Sequence, residues 1–209
     1  MSILSKSLER IKPSPTISVT QKARELKAKG ADIISLGAGE PDFDTPDNVK
    51  SAAIEAIKNG QTKYTAVDGT VDLKNAIVSK FKKENNLTYE KNQISVGAGG
   101  KQVIYNAFLA TINSGDEIII PSPFWVSYPD IVLLAGGIPK IIECGEEDNF
   151  KLTAKSLKKN ITQKTKWLII NSPGNPTGSC YSEQEINELV DVLVKYPKIL
   201  IMTDDIYEH

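Results

Sequence analysis

Apolar residues in the second half of the chain alternate between short continuous runs and helical spacing. The continuous runs predict β-strands, and the amphipathic stretches between them predict helices. Because the strand-like runs lack polar alternation, we expect both faces of the sheet to be covered. The pattern therefore predicts an α/β fold with a mainly parallel sheet between helices. The predicted strands cover residues 94–96, 117–120, 138–142, 167–170 and 199–203.

The first part of the chain is less regular. Pro13 and Pro15 argue against a helix at the start, and a helix is predicted only from Val19 to Lys29. A later helix begins near Pro46 and is expected to place Val49 and Ile57 on one apolar face that covers other residues.

Length and charge restrict the class of protein. The 209 residues carry 25 basic and 26 acidic side chains, which provides no electrostatic footprint for nucleic acid or an anionic membrane. Residues 1–10 lack the apolar segment of a signal peptide, and no apolar run approaches the roughly 20 residues of a membrane span. We therefore expect a cytoplasmic protein with small-molecule or protein partners.

The sequence has few of the residues that some kinds of catalytic or metal site require. The sequence contains one histidine, His209, and two cysteines, Cys144 and Cys180, without metal-ligand spacing. Catalysis by a histidine base and a zinc site are therefore not expected, and no metal is predicted. Only Arg10 and Arg24 could form bidentate contacts with a carboxylate.

In a parallel sheet, ligands bind at the carboxyl ends of the strands, so the loops that follow the strands are informative. Gly97 to Lys101 follows the first predicted strand and could expose backbone N–H groups to a phosphate. A tight strand-to-helix turn is the alternative. The loop lacks the dinucleotide-binding order of glycines, and Gln102 stands where a nucleotide-binding P-loop requires serine or threonine.

Three other loops carry restricted or polar residues. Trp125 could stack on a flat heteroaromatic ring or simply be a core aromatic. Asn175-Pro176 could be a cis bond in a turn that directs the asparagine amide at a ligand oxygen, or an ordinary turn. Asp204 ends a predicted buried strand, where its charge needs a cationic partner, unless it caps a helix.

Pyridoxal phosphate is the cofactor that uses all four loops together. Its phosphate needs an anion-binding turn, its ring an aromatic neighbour, its phenolic oxygen a donor and its ring nitrogen a carboxylate. No loop is specific by itself, but the four together predict this cofactor.

The motifs resemble those of class I aminotransferases of the pyridoxal-phosphate fold type I, and closely those of the bacterial aspartate aminotransferases that include aspartate/prephenate enzymes. This resemblance covers nearly the whole chain. The matching segments are Lys12 to Ser14, Gly37 to Phe43, Lys63-Tyr64, Gly99 to Gln102, Trp125 to Pro129, Asn175 to Gly178 and Asp204 to His209.

The resemblance implies roles for cofactor-binding residues. Gly99, Gly100 and Lys101 would lie at the phosphate-binding turn, and Trp125 would stack on the ring. Asp204 would face the ring nitrogen. The two residues expected to bond the phenolic oxygen are Asn175 and Tyr207.

Other matches concern the dimer and the substrate. Tyr64 matches a tyrosine that reaches the phosphate of the other subunit's cofactor, so the resemblance implies a homodimer. Gly39 matches the glycine whose backbone meets the substrate α-carboxylate. Ser14, Thr16 and Lys101 match residues associated with the distal carboxylate in the prephenate-using branch.

The resemblance also implies an incomplete chain. Family members are about twice as long, and their Schiff-base lysine lies in a later loop, so no catalytic residue is assigned here. We expect residues 1–44 to form an arm and part of a small domain, and 45–209 an incomplete large cofactor-binding domain. Without later strands the chain is expected to expose apolar strand edges and to fold poorly or associate.

Three functions remain. The first is the N-terminal part of an aminotransferase that acts on aspartate, or a related dicarboxylic amino acid, and a 2-oxo acid, and is inactive alone. The second is a non-catalytic fragment that pairs with a complementing C-terminal half. The third is a dinucleotide-binding oxidoreductase. Asp116 argues against it, because this acidic residue comes too soon after the glycine loop.

Overall fold

A computed structural model describes residues 3–37 and 39–209 of the chain. It divides into two compact units, one formed by residues 13–103 and the other by residues 3–12 together with 104–209. Ala38, inside the predicted Gly37-to-Phe43 motif, lies outside the described residues, as do Met1 and Ser2 of the expected N-terminal arm. The expected domain boundary after residue 44 stays a prediction.

Seven α-helices and four β-strands form the regular structure of the described residues. The strands are β1 (Glu117–Ser122), β2 (Ile138–Glu143), β3 (Thr165–Asn171) and β4 (Leu200–Asp204). The helices are α1 (Pro15–Ala28), α2 (Asp47–Lys58), α3 (Val71–Asn85), α4 (Gly100–Thr111), α5 (Ser127–Leu134), α6 (Ala154–Asn160) and α7 (Glu183–Leu193). Short 3₁₀ helices cover Lys6–Arg10, Lys91–Gln93 and Glu146–Asp148.

The four strands form one sheet in the order β2-β1-β3-β4, and each neighbouring pair is parallel. Successive residues of a strand point to opposite faces, so the central strands β1 and β3 contribute to two separate cores. On one face, Ile119 and Leu168 pack with residues of α6 and α7. On the other face, Ile118 and Ile169 pack with residues of α4 and α5. The predicted parallel α/β architecture is confirmed.

The outer strands differ from the expectation that both faces of every strand are covered. Ile138 of β2 and Leu200 and Ile201 of β4 are each exposed by more than a third. Both β2 and β4 are edge strands of this sheet, so each has a neighbouring strand on one side only. A continuous apolar run therefore did not distinguish a central strand from an edge strand.

The first predicted strand is also wrong. Residues 94–97 form no strand in the described structure. The N–H of Val96 donates instead to the carbonyl of Asp68 at 3.0 Å. A strand requires a neighbouring strand to complete its hydrogen bonds, and the loop containing Asp68 provides only this isolated bond.

Two further expectations for the 13–103 unit are corrected. Helix α1 begins at Pro15, with Ser14 in the cap position, because proline is well suited to the first position of a helix, where its missing N–H needs no partner. Val49 and Ile57 of α2 are at least half exposed and do not cover a core. Among the described residues of this unit, only Lys74 is buried.

Within the described part of the chain, no helix combines the length and apolar character that a bilayer-crossing segment needs.

Candidate functional site

The carboxyl ends of three parallel strands bring together four of the residues singled out by sequence, Trp125, Asn175, Asp204 and Tyr207. Asp204 is the last residue of β4, Asn171 is the last residue of β3, and Trp125 lies in the loop after β1. We refer to six residues that are linked by the contacts below as the ring-site cluster: Trp125, Tyr128, Asn171, Asn175, Asp204 and Tyr207. All six lie in the 104–209 part of the chain.

Tyr128 fixes the carboxylate of Asp204. The Tyr128 hydroxyl donates to Asp204 Oδ2 at 2.6 Å, and the backbone N–H of Ile206 donates to Oδ1 at 3.4 Å. Tyr128 is almost completely buried. Burial, and next the hydrogen bond to Asp204, raise the pKa of the Tyr128 hydroxyl above its ordinary value. The phenol therefore keeps its proton and remains a donor to Asp204 over the whole working pH range.

Asn171 joins the ends of β3 and β4 to the loop that contains Asn175. Its side-chain N–H donates to the backbone carbonyl of Asp204 at 2.7 Å. Its side-chain oxygen accepts from the backbone N–H of Asn175 at 2.8 Å. One amide side chain thus determines the positions of both residues.

Asn175 and Tyr207 form a hydrogen-bonded pair. The Asn175 side chain donates to the Tyr207 hydroxyl at 3.1 Å. Each side chain still has one hydrogen to donate, because an amide carries two and a phenol carries one. The pair can therefore offer two donors to one oxygen atom of a ligand. The Asn175–Pro176 peptide bond is cis, which was one of the two alternatives left by the sequence.

Trp125 lies between the core and the surface. Its indole is partly buried against the α4–α5 side of the core. The ring contacts Tyr128 edge to face, with 5.3 Å between centroids and 82° between planes. Since Tyr128 also holds Asp204, the indole and the carboxylate are organised by the same side chain. A pocket is lined by three residues of the cluster, Tyr128, Asn171 and Asn175, together with residues that include Phe124 and Tyr181.

The glycine loop lies in the 13–103 unit and leads into α4, which begins at Gly100. Gly99 has φ +91°, a left-handed conformation that glycine adopts without strain. A Cβ placed on Gly99 or Gly100 would meet no atom within 4 Å, so the loop is open on that side. In the first turn of α4 the N–H of Gln102 donates to the carbonyl of Gly99 at 3.1 Å, and the N–H groups that precede it have no acceptor within the helix. Lys101 lies in this first turn.

The remaining predicted residues also belong to the 13–103 unit. Tyr64 is fully exposed in a loop between α2 and α3. Gly39 is exposed and has open space where a side chain would lie. Ser14 occupies the cap position of α1 without a side-chain capping bond, and Thr16 lies in the first turn of the same helix.

Sequence reasoning assigned no role to Tyr128 or Asn171. Both had a signal that could have been used. Tyr128 lies three residues after Trp125, at the start of a predicted helix, and this spacing could have indicated that the two side chains lie close together. Asn171 is the first polar residue after the apolar run of β3, at the strand end where ligands bind.

Comparison with protein families matches residues 31–209 to the family described as aminotransferase class I and II. The chain is 61% identical to the probable aspartate/prephenate aminotransferase of Rickettsia bellii (strain RML369-C), over 100% of the chain and 52% of the relative. It is 59% identical to the aspartate/prephenate aminotransferase of Cereibacter sphaeroides (strain ATCC 17029 / ATH 2.4.9), with the same coverage. The chain spans about half the length of these curated relatives.

Solved structures give a similar result. The aspartate aminotransferase of Rhizobium meliloti superposes with a TM-score of 0.95 at 45% identity, over 100% of this chain and 52% of that one. The aspartate aminotransferase of Thermus thermophilus with maleate superposes with a TM-score of 0.93 at 41% identity, over 98% of this chain and 53% of that one.

Proposed function

The chain belongs to the aminotransferase class I and II family, and from this premise we propose that it is the N-terminal part of an enzyme that transfers an amino group between aspartate, or a related dicarboxylic amino acid, and a 2-oxo acid. The observation that carries the proposal is the ring-site cluster, in which Asp204 and Asn175 are linked through Asn171. The names of the relatives support the substrate class.

The chemistry of the donors fits pyridoxal phosphate. The cluster contains an indole, a carboxylate and an amide–phenol pair, which match a flat ring, a ring N–H and a phenolic oxygen. When bound, this cofactor supplies an electron sink for the negative charge that develops on the substrate carbon after its proton is removed. The chain's own contribution is to bind and orient the ring.

Asp204 holds the proton on the ring nitrogen in this proposal. Its Oδ2 accepts from Tyr128, whereas Oδ1 receives only the long 3.4 Å bond from Ile206. A carboxylate oxygen can accept more than one hydrogen bond, so Oδ1 can accept from a ring N–H. A carboxylate also favours the protonated, positively charged ring over the neutral one. Asn175 and Tyr207 direct their remaining hydrogens at the phenolic oxygen, and Trp125 covers one face of the ring.

The phosphate is assigned to Gly99, Gly100 and Lys101. Backbone N–H groups at the start of α4 and the positive end of the helix dipole favour an anion. The positive φ of Gly99 permits the backbone to turn so that these groups are accessible. Tyr64 is proposed to reach the phosphate bound by the partner subunit in a homodimer, which agrees with its complete exposure in one chain.

The substrate's carboxylates, like the phosphate, are assigned to residues of the 13–103 unit. We assign the α-carboxylate to the backbone of Gly39, and the distal carboxylate to Ser14, Thr16 and Lys101. An ammonium group is a point charge without the fixed fork of a guanidinium. Lys101 is therefore expected to accept distal carboxylates in a range of geometries. Residues 45–209 would form the cofactor-binding domain, and 1–44 the arm and part of the small domain.

Proton transfer at the substrate carbon needs a lysine. We assign this role to no lysine of the chain. The two Ser-Lys pairs of the chain, Ser5-Lys6 and Ser79-Lys80, lie in the N-terminal 3₁₀ segment and inside α3. Neither follows a strand of the sheet. The chain alone is therefore expected to be inactive, and a complementing segment is expected to restore the reaction.

A complementation experiment tests this function. We define the complemented enzyme as this chain fused to the part of the Rickettsia bellii relative that lies beyond its matched residues. Amino transfer from aspartate to 2-oxoglutarate is measured for the complemented enzyme, for each half alone and for the intact relative. We expect activity in the complemented enzyme and the intact relative only. A complemented enzyme that folds as a dimer but neither binds pyridoxal phosphate nor transfers the amino group would favour the non-catalytic fragment.

A further inference from the structure

The 13–103 unit buries one charged side chain. Lys74 in α3 is 8% exposed, and among the described residues of this unit it is the only one classed as buried. Its ammonium group forms an ion pair with the carboxylate of Asp68. Burying an ammonium group is costly unless it is paired, so this contact must form whenever α3 packs in its observed place.

Asp68 makes a second contact, through its backbone. Its carbonyl oxygen accepts from the N–H of Val96 at 3.0 Å. The next residue, Gly69, has φ +110°, and a Cβ added there would lie 2.6 Å from Val96 Cγ2. The loop before α3 and the segment around Val96 are therefore in direct contact, and only glycine fits at residue 69. Asp68 thus connects α3 to this segment.

The two connected segments lead to two different phosphate-binding elements. Four residues before Asp68 lies Tyr64, which is fully exposed. Three residues after Val96 lies Gly99, which begins the open part of the glycine loop. We call this part, Gly99 to Lys101, the glycine turn. The Asp68–Lys74 pair therefore lies at the junction between the Tyr64 loop and the glycine turn of the same chain.

We propose that the Asp68–Lys74 pair is a positioning pair that sets Tyr64 at a fixed place relative to the glycine turn of its own subunit. This inference rests on the proposed function, in which the glycine turn binds the phosphate of one cofactor and Tyr64 binds that of the partner's. A change at Lys74 in one subunit then alters phosphate binding in the other. The pair couples the two cofactor sites of the dimer without touching either cofactor.

The chain offers a matched control for this pair. Lys80 lies in the same helix and is also partly buried and ion-paired, with Glu84 at 3.7 Å. It also makes a hydrogen bond to Asn85, at the end of the same helix, at 2.9 Å. Lys74→Met and Lys80→Met remove the same charge from α3 and keep most of the apolar stem. Only the first breaks the connection to the Tyr64 loop. Lys74→Arg restores a cation at the same place.

The binding test uses the dimeric complemented enzyme, with pyridoxal phosphate and pyridoxal as two probes that differ only in the phosphate. We expect K74M and Y64F each to weaken the binding of pyridoxal phosphate about tenfold, the effect of one charge-assisted hydrogen bond. Pyridoxal binding is expected to be unchanged. The double variant should bind no more weakly than either single variant, because both changes remove the same interaction. K74R should restore most of the affinity, and K80M should leave it unchanged.

A second measurement on the 209-residue chain needs no cofactor. Hydrogen exchange at the Val96 amide is expected to accelerate in K74M and D68N and to stay unchanged in K80M, because the acceptor for this amide belongs to Asp68. Asp68 is 44% exposed at its side chain, so K74M leaves a carboxylate that water can solvate, whereas D68N leaves the buried Lys74 ammonium without its charged partner and is expected to be the more destabilising change.

The outcomes separate the inference from the function on which it rests. If Y64F weakens pyridoxal phosphate binding but K74M and D68N do not, the positioning role is wrong and the function of Tyr64 stands. Additive effects of K74M and Y64F, or equal losses for both probes, also overturn it, since they indicate a purely structural ion pair. If Y64F itself has no effect, the proposed role of Tyr64 fails and the positioning role fails with it.

Discussion

The hydroxyl of Tyr128 donates to Asp204 Oδ2 at 2.6 Å, across 76 positions of sequence. This bond connects the helix after β1 with the end of β4. It determines where the carboxylate lies before any ligand binds. The raised pKa of Tyr128 means that the donor does not titrate at working pH. In the proposed enzyme, Tyr128 therefore stays able to donate to Asp204 throughout that pH range.

Replacing Tyr128 with phenylalanine tests the importance of this bond. Y128F removes the hydroxyl and leaves the ring that contacts Trp125. A hydrogen bond to a charged group contributes about 1.5–3 kcal/mol, so we expect amino transfer by the complemented enzyme to fall by about tenfold or more. Turnover is measured at saturating aspartate.

Y181F is the matched control for this variant. It also removes the hydroxyl of a phenol, one that is partly buried and accepts a hydrogen bond from the Leu152 N–H instead of donating to Asp204. It is expected to lower thermal stability without changing turnover. Equal turnover of Y128F and the unmodified enzyme would contradict the role of Tyr128.

The position of Trp125 can be tested by fluorescence. The chain has two tryptophans, and the indole N–H of Trp167 donates to Thr111 at 3.0 Å, on the core side of β3. Pyridoxal phosphate is expected to quench Trp125 emission by stacking on its ring. Quenching should persist in W167F and largely disappear in W125F of the complemented enzyme. Strong quenching in W125F would mean that the cofactor binds elsewhere.

The glycine turn predicts an effect that is specific to the phosphate. G99A places a side chain in a left-handed conformation, at a cost of about 1 kcal/mol. We expect this strain to weaken pyridoxal phosphate binding and to leave pyridoxal binding unchanged. Gly60 at the end of α2 has φ +72° and equally open surroundings, so G60A is the control with similar strain. A similar loss of cofactor affinity in G60A would exclude a specific role for Gly99.

The contacts of Glu185, in the first turn of α7, predict how the stability of the protein depends on pH. Its carboxylate accepts from Lys151 and from the backbone and hydroxyl of Ser182. Chiefly the hydrogen bond from Lys151 lowers the pKa of Glu185 from 4.5 to about 2. Because this pKa is lower in the folded state, the stabilisation is fully present above about pH 4.5. It is lost as the pH falls from there towards 2.

The variant E185Q checks this pH dependence in urea unfolding of the complemented enzyme. Glutamine preserves the capping box but removes the charge. It should be less stable than the unmodified protein at pH 7, and the difference should shrink between pH 4.5 and pH 2. In a K151M background most of this pH dependence should vanish. A difference that grows at low pH would contradict the assigned cause.

The arrangement of the sheet and the cluster was largely predictable from the sequence. The apolar runs predicted all four strands of the sheet, and β1 and β3 are in addition buried on both faces, as a continuous apolar run implies. Asp204, Asn175 and Trp125 were identified because the carboxyl ends of parallel strands converge at one edge. The elements that bond to these residues over long sequence separations, such as Tyr128, required the folded structure.

Expectations failed where local pattern was not decisive. The run at 94–96 has strand composition, but strand formation depends on a partner that local sequence does not specify. Proline at residue 15 was interpreted as a helix breaker, although it is favourable at the first helical position. Lys74 gave no signal as a buried residue, because lysine is rarely buried unless it is paired, and the local pattern does not show which acid pairs with it.

The protonation state of the ring nitrogen tests the central claim most directly. The complemented enzyme is loaded with ¹⁵N-labelled pyridoxal phosphate, and the nitrogen resonance is recorded for the unmodified protein and for D204N. An amide cannot hold the extra proton on the ring, so we expect a protonated nitrogen in the unmodified protein and an unprotonated one in D204N. The same resonance in both proteins would contradict the placement of Asp204 against the ring nitrogen.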